Sequence, residues 1–269
     1  MKPAFPRAAR HLLVGIALWT AAPARAAGDA SPARELIAQV VAARQTSGYR
    51  VRARLVRTAA GSDREDVTQL LIKGRRDGDA SKVLYQVLWP KRSQGETLVI
   101  EKSAGRDPRC WIFTPPDRVT VLTPERTGDR FFGSDLTIED VAEEFWTWPT
   151  QKIIGEETVD QHRCAVLESR PAAGAATSYA LVRTWIASDI ALPLRIEKFG
   201  PDRRLIKRLT AERVMEQGDR HWTAGTVIVE PADGRTRTVL EGKRADRDIE
   251  IPGEEFTVEG IKTALRPKP

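Results

Sequence analysis

Cysteine is scarce in these 269 residues: two in all, too few for a disulfide scaffold or a four-thiolate zinc site. Histidine is almost as rare, with three, which leaves little material for a histidine-based catalytic or metal centre. No catalytic or nucleotide signature occurs: Gly-x-Ser-x-Gly, His-Glu-x-x-His, the Walker loop and Gly-x-Gly-x-x-Gly are all missing. Charge of one sign does not dominate either, with 43 Lys+Arg against 37 Asp+Glu. At 30% charged and 41% hydrophobic the composition is that of a globular protein, which argues against wholesale disorder and against a multi-span membrane protein. The net charge of +6 and pI near 9.5 invite a nucleic-acid reading, and the position of the charges decides it.

Much of the excess sits at the N-terminus. Lys2, Arg7 and Arg10 precede an apolar run from Leu12 to Ala22, no acid occurs before Asp29, and Ala24-Arg25-Ala26 offers small residues at the positions a signal peptidase reads. The run is about half of the ~20 residues that span a bilayer, so a cleaved secretory leader at residues 1–26 is expected rather than an anchor. No cysteine lies near the cut, so N-terminal lipidation is not expected. Residues 27–269 then hold 39 Lys+Arg against 37 Asp+Glu, a net charge of +2. The nucleic-acid reading loses its basis.

The rest reads as one domain. Ser31-Pro32 opens a helix whose Leu36, Ile37, Val40 and Val41 share a face. From Tyr49 the period becomes two: Tyr49, Val51, Ala53 and Leu55 alternate with Arg50, Arg52 and Arg54. That arginine row is either a contact for an anionic membrane surface or a solvated strand face. Strands follow over 67–73, 82–89, 96–101, 109–114 and 118–123. In Cys110-Trp111-Ile112-Phe113 both alternating faces are apolar, so both should be covered. A second helix is expected over Ile138 to Trp148, capped by Thr137 with Asp140 as its reciprocal partner, stapled by Leu136 and Val141, and stopped by Pro149. Its Phe145, Trp146 and Trp148 make a large apolar stripe that suits either core packing or a lid over a cavity. From Gln151 on, strands alone are expected, over 162–169, 179–187, 192–199, 205–215 and 223–229, with Asp233-Gly234 as a hairpin turn.

No catalytic site, metal site or cofactor is expected. His162 and His221 fall in or beside strand-like runs, and Ser134 lacks the strand that would form a nucleophile elbow. The adjacent pairs Glu143-Glu144 and Glu156-Glu157 point apart on helix or strand. Cys110 and Cys164 could pair in an oxidising compartment, but one sequence does not give their separation.

Several strings resemble the LolA-like outer-membrane lipoprotein-sorting family. They are Gln94-Gly95-Glu96-Thr97-Leu98, Trp111-Ile112-Phe113-Thr114-Pro115, the run Phe132-Gly133-Ser134-Asp135-Leu136-Thr137-Ile138-Glu139-Asp140, Thr184-Trp185-Ile186, Leu192-Pro193-Leu194, and Ile251-Pro252 with Phe256-Thr257. The Gly-Ser-Asp element ahead of a capped helix is the most specific, and Ile138 departs from the family's usual tyrosine. The resemblance implies an α+β, mostly antiparallel fold: an incomplete, curved β-barrel with helices over its open, apolar side. It implies a periplasmic, non-enzymatic carrier of lipid or lipoprotein acyl chains, meeting an inner-membrane transporter or an outer-membrane acceptor. The alternative is an interaction or regulatory protein that docks an export pump or an envelope-stress sensor. Trp111, Phe113, Leu136, Val141, Phe145, Trp146 and Trp185 are then expected to line the cavity or hold its lid.

Overall fold

Alternation of apolar and polar residues runs through most of the chain, and in the computed structural model it becomes one antiparallel sheet of 14 strands. Residues 31–217, 221–243 and 245–266 are described, at Gln217 and His221 by backbone alone; the leader expected at residues 1–26 lies outside them. Helix α1 (Pro32–Ala43) precedes β1 (Gly48–Ala59), β2 (Glu65–Asp77), β3 (Ala80–Trp89), β4 (Thr97–Lys102), β5 (Arg109–Thr114) and β6 (Arg118–Val121). A connecting segment with the short helix α2 (Ile138–Ala142) leads to β7 (Thr150–Val159), β8 (His162–Arg170), β9 (Leu181–Ala187) and β10 (Leu192–Phe199). Then come β11 (Leu205–Gln217), β12 (His221–Pro231), β13 (Thr236–Gly242), β14 (Asp246–Arg247) and helix α3 (Val258–Leu265).

The strands stand in the order β6-β5-β4-β3-β2-β1-β13-β12-β11-β10-β9-β8-β7. One meander therefore runs outward from β1 to β6, and a second returns from β7 to β13. They meet where Ala53–Ala59 of β1 pairs with Thr236–Gly242, and β14 takes the adjoining stretch of β1 at Tyr49 and Arg50. The terminal strands β6 and β7 do not pair, so the barrel stays open. Register shifts at Gln69/Leu70, Ile153/Gly155, Pro193/Arg195 and Lys198/Phe199 are bulges that bend and twist the strands, and the sheet is curved. To pass from β6 to β7 the chain must cross from one open edge to the other. Residues 122–149 make that crossing, so the lid follows from the connectivity.

The lid-facing side of the sheet is apolar. Tyr49, Val51, Ala53 and Leu55 of β1 join Leu70, Ile72, Val83 and Tyr85 in one cluster with Leu136, Ile138 and Val141 of the lid. Helix α1 packs Leu36, Ile37, Val40 and Val41 on Leu167, Val182 and Ile186. A 12-residue helix is marginal alone in water. Four buried aliphatic side chains, at roughly 1.5–3 kcal/mol each, hold it in place.

The opposite face of β3–β5 is covered too, as the doubly apolar Cys110–Phe113 strand requires. Leu84, Val99, Trp111 and Phe113 lie beneath Ile251, Phe256 and Ile261. Ile261 belongs to α3, which corrects the expectation of strands alone after Gln151. Thr257 caps that helix by accepting from the Gly260 amide at 3.1 Å, and its eight residues bury one side because the outer sheet face needs a cover. Strand β7, not singled out by its alternation, forms one of the two exposed edges, with β6 at the other. Among the described residues no helix is long and apolar enough to cross a membrane.

Candidate functional site

The lid is fixed at its start by a buried polar network built from its own sequence. Phe132 and Gly133 take positive φ angles of 46° and 75°, which turn the chain back over the sheet. The Ser134 hydroxyl donates to the Phe131 carbonyl at 2.7 Å and accepts from the Leu136 amide at 3.2 Å, locking that turn. Asp135 then reaches β13 and β1: its carboxylate accepts from the Thr236 and Thr238 hydroxyls, each at 2.8 Å, and from Arg57 at 3.1 Å. Helix α2 begins with the expected reciprocal cap. Thr137 Oγ1 accepts from the Asp140 amide at 3.2 Å, and Asp140 accepts from the Thr137 amide at 2.7 Å.

Asp140 does more than cap. Its buried carboxylate also takes Lys198 Nζ at 2.7 Å, Lys207 Nζ at 2.8 Å and the Tyr179 hydroxyl at 2.7 Å. Burial alone would raise its pKa; the charges and hydrogen bonds of the two lysines outweigh this and hold it well below the usual carboxylate range. Burial and the Asp140 charge push the Tyr179 phenol well above its ordinary value. Lys198 lies over the Phe145 ring at 5.2 Å and the Tyr179 ring at 4.8 Å, which seal the cluster from water.

The lid helix is shorter than its sequence suggests. In place of one helix over Ile138 to Trp148, α2 ends at Ala142, Glu143 adopts a left-handed conformation (φ 50°), and a 3-10 turn spans Glu144–Trp146. The break is compensated by partners distant in sequence. Glu143 Oε2 accepts from Trp146 Nε1 at 3.1 Å and from Arg44 at the end of α1 at 3.4 Å. Lys102 of β4 donates to the Ala142 carbonyl, freed by the early stop, and pairs with Glu144 at 2.9 Å.

Between lid and sheet lies a cleft. Its walls are Leu70, Ile72 and Tyr85 on one meander, Leu194, Ile196, Leu209, Val227 and Leu240 on the other, and Phe131, Leu136 and Val141 on the lid. Its unfilled space, counted out to the mouth, is about 1050 Å³, while the part in which the centre of a water molecule can move is about 90 Å³. The cleft is therefore narrow. Arg44 and Glu143 line it as a pair, and Arg247 and Trp222 line it as well.

Of the seven residues expected to line the cavity or hold the lid, Leu136 and Val141 lie in the cleft wall. Phe145 and Trp146 belong to the lid but pack with α1, Ala165 and Leu167 beside the cleft. Trp111 and Phe113 are on the other side of the sheet, under α3 and the segment before it. Trp185 alternates with Thr184 and Ile186 and so points away from α1; it donates to Glu157 at 2.8 Å and stacks under Arg195 at 5.1 Å. In the arginine row, Arg54 pairs with Glu241 at 3.3 Å, Arg50 approaches Glu255 at 3.9 Å, and Arg52 has no ion pair among the described residues.

Lys198, Lys207 and Tyr179 were not singled out by sequence. A signal was present, since Lys198 and Lys207 follow Ile196 and precede Leu209 at core-facing strand positions. Cys110 and Cys164 are free and belong to separate clusters. His162 is near the surface beside Asp189 at 3.3 Å. Among the described residues no group of three or more His, Cys, Asp and Glu could hold a metal ion.

A curved, open antiparallel sheet with an apolar cleft under a crossing lid is the LolA-like fold. The chain belongs to the family whose model, described as "Uncharacterized protein", matches residues 79–263. Among solved structures, it is similar to an outer membrane lipoprotein-sorting protein domain from Vibrio parahaemolyticus, with a TM-score of 0.78 and 17% identity over 87% of this chain and 100% of that one. A DUF1329 family protein from Desulfovibrio piger gives a TM-score of 0.77 and 21% identity, over 84% and 96% of the two chains. A LolA superfamily protein from Nitrosomonas europaea gives 0.68 and 17%, over 85% and 98%. No curated protein matches the sequence.

Proposed function

We propose that the protein is a periplasmic carrier or binding protein for the acyl chains of lipids or lipoproteins, acting without catalysis in outer-membrane lipoprotein sorting or lipid transport. The observation that carries this reading is the apolar cleft closed by a lid that is pinned to both meanders, through Asp140 to Lys207 of β11 and through Glu144 to Lys102 of β4. Burial of a 16-carbon chain at about 0.8 kcal/mol per methylene supplies on the order of 12 kcal/mol. Association and ordering take back several kcal/mol of this, which leaves a well deep enough to hold a chain and shallow enough to release it. With a free interior of about 90 Å³, uptake of such a chain requires the lid to move outward. An inner-membrane transporter or an outer-membrane acceptor would exchange the cargo, and the residues at 1–26 would direct export. Mass spectrometry of lipids extracted from natively purified protein tests the reading. A bound acyl lipid supports it, and an empty protein that also fails to take up a fluorescent fatty acid overturns it.

The narrowness of the cleft favours a second reading, an interaction protein of the export machinery whose interior is filled by its own side chains. Cross-linking in intact cells separates the two, because a stoichiometric protein partner without bound lipid belongs to the second.

A further inference from the structure

Beyond the lid cleft the apolar sheet surface continues into a second hollow, floored by Val87, Leu98 and Ile112, whose unfilled space counted out to the mouth is about 770 Å³ and whose part open to the centre of a water molecule is about 300 Å³. Phe131 lines both spaces and forms the wall they share; its ring packs edge-on against Tyr85 at 5.1 Å. The rim of the second hollow differs in chemistry from that of the first. Arg92 stands on it with no ion pair among the described residues. Arg130 also stands on it, in the lid segment next to Phe131, with its side chain 58% exposed. Its nearest carboxylate, Asp135, is 3.7 Å away and already accepts from Arg57, Thr236 and Thr238, so the Arg130 charge is poorly compensated. Glu96 supplies a single carboxylate to the lining, and Arg118 faces it. Guanidinium groups are thus in excess at the end of an apolar groove.

We propose that this second hollow seats the anionic head group, a carboxylate or a phosphate, of an amphiphile whose chain enters the lid cleft when the lid, and Phe131 with it, moves outward. The proposal rests on the carrier reading and narrows its cargo to an anionic amphiphile. A guanidinium binds either anion through charge-assisted, bidentate hydrogen bonds that a neutral glyceride cannot reproduce.

The test is displacement of N-phenyl-1-naphthylamine from the purified protein by three ligands with the same 12-carbon chain: dodecanoate, dodecyl phosphate and the neutral 1-monododecanoylglycerol. Both anions, or whichever one matches the natural head group, should bind about tenfold more tightly than the glyceride at low salt. That preference should shrink at high salt. The ranking of dodecanoate against dodecyl phosphate distinguishes a fatty acid from a phospholipid source. In the Arg92→Gln/Arg130→Gln variant, whose two changes lie at an exposed rim, the preference should vanish while glyceride binding stays within twofold. Equal affinities for all three ligands in the unaltered protein, or a preference that survives in the variant, overturn the head-group site and leave the carrier reading in place. If neither the probe nor any ligand binds, the carrier reading falls and the head-group site falls with it.

Discussion

Replacing Asp140 by Asn isolates the charge that pins the lid. The amide keeps an oxygen to accept from the Thr137 amide and nearly the same volume, so the helix cap and the packing persist. Lost is the negative charge between Lys198 at 2.7 Å and Lys207 at 2.8 Å, both on buried side chains. Breaking a buried ion pair from one side costs about 3–5 kcal/mol, because an uncompensated charge is left behind, and here two ammonium groups lose their shared partner. For a chain of this size each kcal/mol moves the melting point by roughly 2–4 °C, so Asp140→Asn should melt on the order of 10 °C lower. Acid titration of stability gives a second readout. The folded carboxyl is held below its ordinary value of 3.8, so its contribution is fully present above that value and is lost as the pH falls through the lower folded one. The unaltered protein should therefore lose stability more steeply than Asp140→Asn below about pH 4. Calorimetry and urea unfolding across pH measure both effects. A melting point within 2 °C of the unaltered protein, with parallel acid profiles, would refute the view that this carboxylate fastens the lid.

Three further outcomes follow from single contacts. Gly74 faces Tyr49 across β1 and β2, and a methyl group added there would collide with the fully buried Tyr49 ring; Gly74→Ala should lower stability by about 1–3 kcal/mol, and an unchanged urea midpoint would contradict this. Burial pushes the Cys110 thiol up to about 11, and both cysteines are buried and free. A disulfide reagent at pH 8 should find almost no reactive thiol in the folded protein and two after denaturation, whereas no thiol after denaturation would mean a bridge. In the arginine row two members already have carboxylate neighbours, so replacing Arg50, Arg52 and Arg54 by Gln should weaken binding to anionic vesicles by only about 1 kcal/mol, near fivefold, in a sedimentation assay. Undiminished binding would remove the row from any membrane contact.

The sequence disclosed what depends on neighbours along the chain. Alternation marked most strands, and β5 and β10 fall where it placed them, at Arg109–Thr114 and Leu192–Phe199. The cap of α2 was legible because Thr137 and Asp140 answer each other within one turn. Where the lid helix stops was not, because its end is set by Arg44, almost 100 residues earlier, and by Lys102 on the far meander. The tryptophans misdirected for the same reason. Size and apolarity say that Trp111 and Trp185 are buried, but only the pairing of strands says on which face. A one-residue step separates the cleft from the opposite side of the sheet.

The lid motif gains a different meaning from its contacts. Gly133-Ser134-Asp135 has the look of a reactive element, a serine between a glycine and an acid. In the folded chain both hydrogen-bonding directions of the Ser134 hydroxyl are taken up by its own turn, and Asp135 is spent on Arg57, Thr236 and Thr238. These side chains are buried, polar and satisfied, which is how a protein fixes one arrangement of a segment that apolar packing alone would let slide. The wall of the lid cleft is made mostly of bland residues, among them Leu70, Ile72, Leu136, Val141, Leu209 and Leu240, gathered from both meanders by a strand order that no local pattern encodes. The polar string is therefore recognisable because it does positional work: Ser134 and Asp135 fasten the segment that carries Leu136 and Val141 into the cleft wall.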